Sequence, residues 1–196
     1  KLSDDAEDIG FSLTEIIRYY VNGNQKFRQV KKLHAHVTGK AGNTAADREE
    51  FKIDNTQKAD KFISGITESI SLIKRIQANA SYEELGIYES SFKYAVNVLG
   101  NDGLRLKQPY VILMSILKNA PEIIGRSKKA TRDNLLEKLP ADLAKFSLYH
   151  FGLKSGPANQ VEQAFSRWAR SLNMIDKSQE TESYRNAVND ANSTIR

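Results

Sequence analysis

The chain has 196 residues, 40% apolar and 27% charged, with a formal net charge of +5 and an isoelectric point near 9.3. That length holds one domain or two small ones, and the apolar fraction, slightly under the globular norm, is enough for a packed core. There is no cysteine and the longest apolar run is Val111–Met114, which excludes disulfides, thiolate zinc sites, cysteine nucleophiles and any span of about 18 apolar residues.

The chain opens acidic, with Asp4, Asp5, Glu7 and Asp8, unlike a signal peptide. It lacks an initiator methionine, as expected of a trimmed or partial chain. Ser12-Leu-Thr-Glu15 has the spacing of a capping box and predicts a helix through Ile16, Ile17, Tyr20 and Phe27, with Gly23 as a break or bend. From Ile16 to Ala46 there is no acidic residue, while Arg18, Lys26, Arg28, Lys31, Lys32 and Lys40 are basic. This one-sided charge suggests a patch for an anionic backbone; the plainer reading is a solvated helix face. His34 and His36 diverge by about 200° on a helix and cannot chelate together.

Residues 39–45 read as a loop. A long helix is then expected, starting near Asp47 and running to Ala78. Its apolar positions Ala59, Ile63, Ile66, Ile70 and Ile73 repeat at alternating four and three. They form either a core stripe or the seam of a homodimer through residues 59–76. Ser81-Tyr-Glu-Glu84 is a second capping-box spacing. Glu89–Leu99 predicts a helix burying Phe92, Ala95, Val96 and Leu99, ended by Gly100-Asn-Asp-Gly103.

Gln108–Asn119 predicts a buried helix with Pro109 at its start, and residues 121–125 a turn or short strand. A further helix is expected over Thr131–Leu139. Pro140 opens another, Ala141–Phe151, and Gly152–Gly156 is a turn. Pro157 begins the last strong helix, ending near Asn173. Its Val161, Ala164, Phe165, Trp168 and Leu172 form an apolar stripe at helical spacing. The opposite side carries Asn159, Gln163, Ser166 and Arg170, flanked by Gln160 and Arg167. The tail from Lys177 is polar.

The fold expected is all-α, with a C-terminal helix-turn-helix or winged-helix-like subdomain. The division is residues 1–103 as an N-terminal helical region, 104–178 as the helix-turn-helix-like region and 179–196 as a polar tail. Amides and arginines on one helix face suit base edges and phosphates. Asn159, Gln160 and Gln163 would meet bases, while Lys128, Lys129, Arg132, Lys154, Arg167 and Arg170 would grip phosphate. No β-hairpin suited to a wing is legible after Ile175. The competing reading of the same residues is a structural helix hairpin.

Enzymatic signals are absent. The carboxylate pairs at 4/5, 49/50 and 83/84 lie at helix starts or in the N-terminal segment, where acids complement the helix dipole. Gly39-Lys40 lacks the rest of a phosphate-binding loop. The expectation is a non-catalytic nucleic-acid-binding protein without metal or cofactor, duplex DNA being favoured over RNA. It would be cytoplasmic, nucleoid or nuclear, neither membrane-bound nor secreted. The alternatives are a helical assembly module, or an RNA-coating protein of capsid type.

Overall fold

A computed structural model describes residues 1–24, 38, 52–100, 103–153 and 158–173, excluding the side chains of 152, 153, 158–161 and 163. The described residues are mostly helical and contain no strand. None of their helices is long and apolar enough to cross a membrane.

The acidic N-terminal segment folds into a short helix, α1 (Leu2–Glu7), which the sequence did not betray. It is anchored by buried Ala6, with Ile9 and Phe11 following into the core. Helix α2 (Leu13–Asn24) starts at the expected capping box. Glu15 Oε2 accepts from the Ser12 N–H at 2.8 Å, and Ser12 Oγ accepts from the Glu15 N–H at 3.2 Å, so two orphan amides are satisfied reciprocally.

The Ile-rich helix α3 spans Thr56–Ala78, shorter than expected. Asn55 is extended and its side chain accepts from the Lys58 N–H at 2.9 Å, a cap that sets the start at Thr56 rather than near Asp47. Ile66, Ile70, Ile73 and Ile76 are buried in the chain's own core, but Ile63 is 50% exposed.

The second expected capping box does not form. Tyr82 is fully buried and its hydroxyl donates to the Ile76 carbonyl at 3.1 Å, which sets the path of the chain there. The Tyr82 N–H is taken by Glu89 at 2.9 Å, and Glu84 instead pairs with Arg75. A tight 3₁₀ turn, Glu83–Tyr88, bends at Gly86 (φ 52°) before α4 (Glu89–Leu99). This helix buries Phe92, Ala95, Val96 and Leu99 as its spacing indicates.

Helix α5 runs from Tyr110 to Arg126, straight through Pro121. Residues 121–125 are therefore neither turn nor strand. An interior proline costs about 3 kcal/mol, but Pro121 faces solvent while Ile116, Ala120 and Ile123 are fully buried. Each large apolar side chain contributes about 1.5–3 kcal/mol on burial, so packing carries the helix past the break.

The two helices expected to meet at Pro140 are one continuous rod. It comprises α6 (Lys129–Arg132), a π-helical turn (Asp133–Lys138), α7 (Leu139–Ser147) and a second π-helical turn (Leu148–Leu153). The wider turn before Pro140 relieves the clash of its ring with the carbonyl four residues earlier. The last described helix, α8, is Ala158–Asn173.

Helix α8 lies along α5 and α2, α7 packs along α4, and α3 rests on α5 and α2. Two glycines permit the close approaches. A Cβ on Gly65 would overlap the Tyr20 ring, and one on Gly23 would stand 3.3 Å from Val111 and 3.9 Å from Ala169. One apolar cluster runs from Ala6 to Leu172, crossing the turn at Gly100–Gly103 where the sequence suggested a division. The tail beyond Asn173, including the place where a wing would follow, lies outside the described residues.

Candidate nucleic-acid interface

The apolar stripe of α8 is buried as its spacing indicates: Phe165 is 0% exposed, Trp168 1% and Leu172 1%. Phe146 of α7 meets Phe165 and Trp168 edge-on at 6.1 and 6.4 Å. His150 stacks on Phe146 at 5.4 Å, a packing role at the boundary of the core.

The polar side of α8 is divided. Ser166, expected outward, is buried at 6%, because α2 covers that side of the helix. Arg170 is half-buried there too, and its Nη1 donates to the Asn22 carbonyl at 3.4 Å. Burial, reinforced by neighbouring Arg167, lowers the Arg170 pKa. Glu162, one turn further back on that side, pairs with Arg18 of α2 at 3.4 Å. Arg167 is exposed and stands on the remaining solvent ridge. Gln160 and Gln163 share its register seven and four positions earlier. Their side chains and that of Asn159 lie outside the described residues, as do Lys154 and the basic group Lys26, Arg28, Lys31, Lys32 and Lys40, with His34 and His36.

At its C-terminal end α8 is tied down by a polar network that the sequence reading missed. Asn173 Nδ2 donates to the Gly23 carbonyl at 2.9 Å and to Ser115 Oγ at 3.0 Å. Asn119 Nδ2 donates to Asn173 Oδ1 at 2.8 Å and to the Ser115 carbonyl at 2.7 Å. These bonds satisfy the Gly23 carbonyl at the end of α2 and join three helices through one amide.

The second basic group sits at the corner between α5 and α6. Lys128 and Lys129 are exposed. Arg132 is partly buried and turns back to donate to the Ile124 carbonyl at 3.3 Å, closing the end of α5. Lys128 and Lys129 follow the end of α5, whereas Arg167 stands on α8, six residues before the Asn173 that bonds Ser115 and Asn119 of α5.

The acids neutralise most other described cations. Arg18, Lys74, Arg75, Lys107, Lys118 and Arg126 each pair with a carboxylate. Lys128, Lys129 and Arg167 make no ion pair with a described residue. No known protein family, curated protein or solved structure matches the chain.

Proposed function

We propose that this protein binds nucleic acid without catalysing a reaction, with duplex DNA the favoured form. The observation that carries the reading is that Lys128, Lys129 and Arg167 are exposed and, like Lys61 and Lys138, make no ion pair with a described residue. A duplex presents a phosphate about every 1.7 Å of its axis, and so offers partners to cations that stand on different helices. In this reading Arg167 contacts phosphate from the solvent ridge of α8, in register with Gln160 and Gln163 for groove contact, and Lys128 and Lys129 contact it from the corner between α5 and α6. Lys154, Asn159 and the basic group Lys26 to Lys40 are assigned to the interface from the sequence alone. Arg132 and Arg170 are assigned a supporting role, since each already serves a backbone carbonyl.

The test is fluorescence anisotropy with duplex DNA, single-stranded DNA and RNA over a range of salt. Arg167→Glu combined with Lys128→Glu and Lys129→Glu should weaken duplex binding at least tenfold and flatten the slope of log affinity against log salt by two to three phosphate contacts (about 0.9 each). Unchanged affinity overturns the assignment. A second reading, an assembly module, draws on the exposed Ile63, Ile87, Tyr94, Leu148 and Tyr149. It predicts concentration-dependent association in sedimentation with no salt-sensitive nucleic-acid binding.

A further inference from the structure

Where α2, α3, α5 and the end of α8 meet, the packed side chains leave a recess of about 20 Å³. Leu72, Val111 and Met114 give it an apolar lining, and Ser69 of α3 and Ser115 of α5 line it too. Both serines are buried, at 7% and 3% exposure. Of the lining residues only Glu68 and Lys118 are exposed. They pair at 2.7 Å and so join α3 to α5 beside the recess.

The protons of the two serine hydroxyls are already committed. Ser69 Oγ donates to the Gly65 carbonyl at 2.8 Å, and Ser115 Oγ donates to the Val111 carbonyl at 2.9 Å. A hydroxyl has one proton to donate and two lone pairs to accept with. Ser69 therefore offers the recess lone pairs alone. Ser115 also accepts from Asn173 Nδ2 at 3.0 Å, which leaves it one lone pair. A partner that serves both serines must bring two donated hydrogens. The Tyr20 hydroxyl is a donor lining the same recess. It stands against Gly65, where an added Cβ would overlap it, and thus beside the turn of α3 to which Ser69 bonds.

Size narrows the partner further. A water molecule needs roughly 10–15 Å³ of such space and makes about three hydrogen bonds to buried polar groups. Organic ligands occupy sites of about 300–1,000 Å³, far more than this recess holds. We propose that one water molecule is bound here, donating to Ser69 Oγ and Ser115 Oγ and accepting from the Tyr20 hydroxyl. That water carries the Asn173–Ser115 network across to α3, so all the helices that meet at this point share one polar junction. The inference is independent of nucleic-acid binding, because no lining residue belongs to that interface.

The experiment is oxygen-17 magnetic relaxation dispersion on the full chain in solution, which counts water molecules that stay bound for longer than the protein takes to tumble. Oxygen-17 reports water itself and is blind to exchange of the hydroxyl protons. Ser69→Val replaces the accepting oxygen with a methyl group and should lower the count by one, with the helical circular dichroism of the parent retained. A crystal structure of the parent protein keeps the question open to test if that variant does not fold: an ordered water should lie within hydrogen-bond distance of both Ser69 Oγ and Ser115 Oγ. An unchanged count in a folded Ser69→Val protein, or a crystal structure with no water between the two serines, overturns the proposal.

Discussion

Helix α8 and the corner at Arg126–Arg132 are both rich in basic residues, and the fold uses them differently. On α8 the cationic and polar side chains are drawn largely into the structure: Arg170 reaches a carbonyl of α2, Asn173 joins α2 to α5, and only Arg167 is a described exposed cation. At the corner just Arg132 turns inward, and Lys128 and Lys129 stay in solvent. The same residue types thus hold helices together where two neighbours flank them and remain available for a ligand where none does. Identity alone does not separate these roles; the number of packed neighbours does.

That contrast can be broken most directly through the buried side of α8. Trp168→Ala should cost about 3–5 kcal/mol of unfolding free energy, read by denaturant titration; a loss under 1 kcal/mol would mean that α8 is not docked as described. Next comes Asn173→Ala, which strands the Gly23 carbonyl and removes one of the two acceptors of the Asn119 amide. A loss of about 2 kcal/mol is expected, with Asn119→Ala in the Asn173→Ala background adding little, because the pair shares one network.

Away from both regions, Ser12→Ala should cost about 1 kcal/mol through the capping box. Its partner Glu15 carries a pH signature. Burial raises the Glu15 pKa, but the Ser12 N–H and Lys107 outweigh it and hold the carboxyl below its usual value. A carboxylate depressed in the folded state stabilises fully above its unfolded pKa, and that stabilisation is lost as pH falls through the folded pKa. Glu15→Gln should therefore be most destabilising near neutrality and converge on the parent protein in acid, as followed by thermal melts across pH. The smallest stability effect separates the two kinds of arginine. Arg167→Met should change stability by under about 0.5 kcal/mol yet reduce duplex affinity, whereas Arg170→Met should lower stability by about 1 kcal/mol and leave the salt slope unchanged. The reverse pattern would exchange their roles.

Much of the fold was legible because burial imposes a period. The stripe on α4 and the Phe165–Trp168–Leu172 stripe of α8 are buried where helical spacing puts them. The capping box at Ser12–Glu15 was legible because it is local. The identical spacing at Ser81–Glu84 misled, since buried Tyr82 and distant Glu89 settle that turn. The polar network at Asn173 left no sequence signal: Asn173 is more than 50 residues from each of its partners, and an asparagine looks alike inside and out.

By itself the sequence determined the mostly helical character of the described residues, the identity of the buried stripes and the local start of α2, because these depend on periodicity and on contacts within a few residues. Tertiary structure alone decided that α5 continues through Pro121, that the rod continues through Pro140, and that Ser166 and Arg170 face α2. In each case the deciding term is burial against a distant element, which outweighs local propensity and cannot be read from neighbours along the chain.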